Sequence, residues 1–175
     1  QLYIRGDDEW IRVMVRRACD AGYAALAVTV DSAYYGNRER LSREQLADRR
    51  PPAREFQKRL TWDSIKLIQD ELAGLPLIIK GIMRPEDAAR AVELGVECIY
   101  ISNHGGRQLD HVQGSIHMLP SIVEAIDGKA EVIIDGGFTR GTDVVKAVAL
   151  GARAVLIGKL QAWALGAGGL PALLR

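Results

Sequence analysis

The sequence lacks an excess of charge of either sign, since 23 Lys and Arg stand against 22 Asp and Glu for a formal net charge of +1. The basic residues are spread along the chain and form no patch, which removes the usual argument for a nucleic-acid partner, and there is no acidic tail. No apolar run approaches the roughly 18 residues that a membrane-spanning helix needs. The two cysteines, Cys19 and Cys98, stand apart, without metal-ligand or redox spacing. They read as buried thiols, and no metal site is expected. Neither a Walker string nor a Gly-x-Gly-x-x-Gly follows a strand, which argues against the doubly wound nucleotide-binding folds. No signal-peptide pattern is seen, and the chain opens on Gln1 rather than Met. The expectation is a cytoplasmic protein whose N-terminus lies upstream.

What is present is a repeated unit in a chain of globular composition, 48% hydrophobic. Ala18, Ala91 and Ala147 each stand four residues before a glycine, Gly22, Gly95 and Gly151, and each glycine leads into an apolar run. This is the pattern of a helix end, a glycine just past it, and a short loop into a buried strand. Gly74 and Gly128 repeat it less regularly. Helix starts are legible at Asp7 or Asp8, Thr61, Pro85 and Thr142. Strands are expected at 2–4, 25–30, 77–80, 98–102, 132–135 and 154–158. Continuous apolar strands alternating with helices make a parallel sheet. A (β/α)8 TIM barrel fits best, incomplete here because such a barrel uses about 250 residues and eight strands. Residues 1–175 are read as one such domain, with the Arg-rich, Pro-Pro stretch 32–60 as a mobile loop.

In a barrel of this kind chemistry gathers at the C-terminal ends of the strands, and polar residues recur there. The densest group follows the apolar run 98–101, where Ser102 to Asp110 reads Ser-Asn-His-Gly-Gly-Arg-Gln-Leu-Asp. Glycines at 105 and 106 let the backbone turn sharply. His104 and Arg107 can supply a base near neutral pH beside a planar carboxylate clamp. Lys80 closes another apolar strand, where an unpaired ammonium would be costly, so an anionic partner is expected. Asp31 ends a third, as either a cap or a functional carboxylate. His111 and His117 read as ordinary loop or helix-face residues.

The string around His104 resembles the signature of the FMN-dependent 2-hydroxy acid dehydrogenases and oxidases, the family of glycolate oxidase, lactate oxidase, mandelate dehydrogenase and flavocytochrome b2. The resemblance implies that the chain corresponds to strands three to eight of that barrel, with two upstream strands and part of the last helix lying outside it. It implies FMN as cofactor, a small 2-hydroxy acid as substrate and a homo-oligomer in the full-length protein. His104 is then the general base and Asp31 the group that orients its imidazole, while Arg107 pairs with the substrate carboxylate, assisted by Arg38 and Tyr3. Gln1, Thr29, Lys80 and Ser102 match positions at the isoalloxazine, and Asp135 one at the ribityl chain. Gly136, Gly137, Gly158 and Lys159 match the phosphate end. The chain departs from the family pattern at Thr139, where better known members carry an arginine, and at Lys159, where the usual residue is also arginine. The alternatives are a non-catalytic barrel fragment acting as a binding or oligomerisation module, and another FMN barrel such as an isomerase. The His-Gly-Gly-Arg loop argues against the isomerase. Expressed alone, an open six-strand arc is expected to associate and to carry little FMN.

Overall fold

A computed structural model of the chain describes residues 1–34 and 54–174. Its six strands are β1 (Leu2–Tyr3), β2 (Leu26–Thr29), β3 (Leu77–Ile82), β4 (Cys98–Ile101), β5 (Glu131–Ile134) and β6 (Ala154–Val155). All neighbours are parallel and the spatial order follows the chain order, β1 to β6. The described helices are α1 (Asp8–Asp20), α2 (Arg54–Lys58), α3 (Trp62–Glu71), α4 (Pro85–Glu93), α5 (Ser115–Ile126), α6 (Gly141–Ala149) and α7 (Lys159–Leu173). Sequential parallel strands with intervening helices make this an α/β sheet, an incomplete (β/α) barrel.

Local chemistry explains the boundaries. Asp7 accepts from the Trp10 amide to start α1, and Thr61 with Ser64 forms a reciprocal cap on α3. Pro85 occupies the first turn of α4. The repeated glycines past α1, α4 and α6 all take positive φ, at Gly22, Gly95 and Gly151. At α6 the start falls one residue before the expected Thr142, because Asp143 reaches back to accept from the Arg140 and Thr139 amides. Strand β6 is shorter than the apolar pattern suggests and stops at Val155, since Leu156 and Ile157 are partly solvent-exposed and pack no second strand.

Pairing sorts the sheet into two kinds of row, because side chains alternate faces along a strand. One row, Leu2–Val28–Ile79–Ile99–Val132, is wholly apolar. Its members from β2 to β5 share a buried cluster with Ile11 and Val15 of α1, Ile65 and Ile68 of α3, Ala88 and Ala91 of α4, and Leu119 and Ile122 of α5. The next row along, Tyr3–Thr29–Lys80–Tyr100–Ile133, carries four polar residues on the opposite face. One set of strands thus builds both the core and the floor of a site.

Two expectations need correction. Cys19 and Cys98 are half-buried, not buried, because each lies at the end of an element where the chain enters or leaves the core. The stretch 32–60 is not all loop, since Arg54–Lys58 is helical; residues 35–53, including Arg38, lie outside the described part. The last two helices leave apolar side chains exposed, Val145 and Val148 on α6 and Trp163 and Leu170 on α7.

Candidate active site

The polar row ends at a cavity of about 920 Å³ at the C-terminal ends of the strands, lined by Gln1, Tyr3, Lys80, His104, Arg107 and Asp135 among others. Its depth comes from glycine-bearing loops after β4 and β5 and from the start of α7. The volume suits a cofactor together with a small substrate.

The loop after β4 carries His104 with φ of +59°, in a region rarely used by residues other than glycine. It is held there by its own amide, which donates to Ser102 Oγ at 3.0 Å, and by a turn in which the Gly106 amide donates to Asn103 Oδ1 at 3.1 Å. The imidazole Nδ1 lies 3.0 and 3.2 Å from the two carboxylate oxygens of Asp31. This pairing engages the Asp31 carboxylate through Nδ1 and leaves Nε2 for other partners. The approach depends on β3. Between Lys80 and Ile82 the register with β4 shifts, and Gly81 has φ of +111°. A Cβ at Gly81 would come within 2.7 Å of Asp31 Cβ, so a side chain there is incompatible with the carboxylate's position. Tyr3 stands beside the histidine, their ring centroids 6.3 Å apart, and Arg107 is exposed on the cavity wall.

Next to this pair is a denser polar group. The Lys80 ammonium is buried and donates to Ser102 Oγ at 2.8 Å, lies 3.7 Å from Asp135 Oδ2, and sits 4.9 Å from the centroid of the Tyr100 ring. The Tyr100 hydroxyl donates to the same Asp135 oxygen at 2.9 Å. Burial, and then the nearby Asp135 charge, push the Tyr100 phenol well above its ordinary pKa. The other oxygen, Asp135 Oδ1, is buried with no hydrogen-bond partner among the described residues. Gln1 Nε2 donates to Thr29 Oγ1 at 2.7 Å, so Thr29 and Ser102 support lining residues from beneath.

At the far end Gly136 and Gly137, both with positive φ, and Gly158 at the mouth of α7 line the cavity. Gly136 also permits close packing, since a Cβ there would lie 2.8 Å from Ser115 Oγ. Lys159 donates to the Gly105 carbonyl at 2.6 Å, tying the first turn of α7 to the His104 loop. Thr139 lines the same end, and its hydroxyl and amide both donate to Asp143. The expected site residues within the described chain therefore line one cavity, except Asp31, Thr29 and Ser102, which bond to His104, Gln1 and Lys80 on its wall. Sequence reasoning missed Tyr100, Asn103 and Ser115. Tyr100 had a usable signal, because it lies two positions before Ser102 and so faces the same side of β4. Among the described residues no group of three His, Cys, Asp or Glu could hold a metal ion, and no helix is long and apolar enough to cross a membrane.

The family profile described as FMN-dependent dehydrogenase matches residues 1–56 and 46–173. Similar curated proteins include L-lactate oxidase of Nostoc sp., 45% identical over 97% of this chain and 53% of its own length. 4-Hydroxymandelate oxidase of Amycolatopsis orientalis is 42% identical over 97% of this chain and 54% of its own length. Among solved structures, mandelate oxidase with (S)-2-phenylpropionate superposes with a TM-score of 0.83 at 42% identity, covering 99% of this chain and 52% of that one. The chain spans about half the length of the curated relatives it matches.

Proposed function

Because this chain belongs to the FMN-dependent dehydrogenase family, we propose that its cavity serves the oxidation of an (S)-2-hydroxy acid to the 2-oxo acid. The observation that carries this reading is the His104–Asp31 pair at 3.0 Å with Arg107 three residues further along the same cavity loop. In this reading Nδ1–H of His104 is donated to the Asp31 carboxylate, which fixes the tautomer and stabilises the imidazolium that forms when Nε2 takes a proton from the substrate. Arg107 holds the substrate carboxylate through two parallel hydrogen bonds, with Tyr3 beside it.

The residues present fit the family's cofactor. A buried carboxylate oxygen of Asp135 lacks a partner among the described residues, two glycines leave the wall free of side chains at Gly136 and Gly137, and a buried ammonium, Lys80, faces the same space. Gln1 and Lys80, supported by Thr29 and Ser102 beneath them, would hold the ring of FMN, Asp135 its ribityl chain, and Gly136, Gly137, Gly158 and Lys159 its phosphate. When bound, FMN supplies the two-electron acceptor. Thr139 offers that end a hydroxyl and no charge, which leaves Lys159 as a point-charge anchor without a guanidinium fork.

The reading is tested by flavin absorbance of the purified protein and by turnover of lactate, glycolate and mandelate with an artificial electron acceptor. In the full-length protein His104→Gln is expected to keep FMN and lose on the order of 100- to 10,000-fold in turnover, because it removes the base and no cofactor contact. Arg107→Lys is expected to weaken oxalate and 2-oxo acid binding first. A His104→Gln protein whose flavin is reduced by substrate at the wild-type rate would sink the assignment.

A further inference from the structure

Tyr100 is buried on the cavity side of β4, and the reaction outlined above leaves it without a task. Three features converge on it. Its hydroxyl donates to Asp135 Oδ2 at 2.9 Å, leaving Oδ1 of that carboxylate buried and without a partner among the described residues. Its ring lies under the Lys80 ammonium, 4.9 Å from centroid to Nζ. Lys80 in turn is 3.7 Å from the oxygen that Tyr100 already engages. A buried carboxylate oxygen without a donor is costly. A carboxylate able to turn freely would share its oxygens between the ammonium and any incoming hydroxyl. The phenol prevents this by occupying one oxygen together with Lys80.

We infer that Tyr100 is a positioning residue for flavin binding, which fixes the Asp135 carboxylate so that its second oxygen accepts from a hydroxyl of the cofactor's polyol chain, while its ring seats the Lys80 ammonium. The inference rests on the reading that FMN occupies this cavity. Tyr100 touches no reacting atom and acts through Asp135 and Lys80. Its place was set by register: Tyr100 pairs with Lys80 across the β3–β4 ladder, so both project from the same face as neighbours.

FMN titration of the full-length protein, followed by quenching of flavin fluorescence, tests this with the wild type, Tyr100→Phe, Asp135→Ala and the double variant. Tyr100→Phe keeps the ring and removes only the donor, and it is expected to weaken FMN binding about tenfold, the size of one hydrogen bond to a charged group. In the Asp135→Ala background the same change is expected to shift the dissociation constant by less than about twofold, because the partner through which it acts is gone. A merely structural tyrosine would give equal losses in both backgrounds. Wild-type affinity in Tyr100→Phe, or equal losses in both backgrounds, overturns the proposal while leaving FMN binding intact. A wild-type full-length protein that takes up no FMN overturns the cofactor reading and this proposal with it.

Discussion

At Gly81 the backbone has φ of +111° and a methyl group would lie 2.7 Å from Asp31 Cβ. An alanine must therefore either strain the β3 backbone or push the carboxylate away from His104. Gly81→Ala is expected to lower turnover by about 100-fold, the scale on which a displacement near 1 Å acts. FMN affinity should stay close to wild type, because Asp31 holds the imidazole and makes no cofactor contact in this reading. Steady-state kinetics beside a flavin titration check the split, and equal losses in both would show that Gly81 supports the whole site. Of this arrangement, His104 and Arg107 were legible as candidates because they stand after a strand in a string with few structural uses, whereas Asp31 was open between a cap and a functional carboxylate. Gly81 was not legible. Its role arises from a register shift between β3 and β4, and no single strand's pattern records how it aligns with its neighbour.

Among the elements, the strands were readable from apolar runs and the helix ends from caps and glycines, since both signals are local. Cross-strand alignment is not local, which is why Tyr100 beside Lys80 and Asp135 went unseen. Helix-to-helix docking is equally silent in the sequence. Glu71, the last residue of α3, receives Arg12 from α1 and also Arg16, the latter at 3.1 Å, from one turn along the same helix. The Arg12 guanidinium above all, with Arg16 adding to it, holds the Glu71 carboxyl below the usual glutamate range. A carboxyl lowered on folding stabilises fully above its unfolded pKa, and the contribution is lost as pH falls through the folded value. Glu71→Gln should therefore melt earlier than wild type at neutral pH, with a gap that closes on acidification. Thermal melts of both proteins between about pH 7 and pH 3 decide it, and a gap independent of pH would place the effect elsewhere than in charge.

For the whole molecule, the coincidence of spatial and chain order was foreseeable, because βαβ units lay each new strand beside the last. The expected strand ranges also made the joins unequal, and the pairing bears this out. Ile78 meets Cys98 after 20 residues, whereas Leu26 meets Leu77 only after 51. Closing a longer segment costs more chain entropy before any contact repays it, and non-local pairing slows folding. The β3–α4–β4 unit should accordingly form first and recruit β5 and its helix, with β1–α1–β2 docking last across the long gap. Ile79→Val is expected to slow refolding with a φ-value above about 0.5, and Val28→Ala to speed unfolding with a φ-value near zero. Stopped-flow folding of the two variants checks the order, and reversed values would place the nucleus at the N-terminal strands. In that order the carboxylate of Asp31 is the last group to reach the cavity's histidine, and the loop after β4 waits in a nearly finished sheet for the partner that engages its Nδ1.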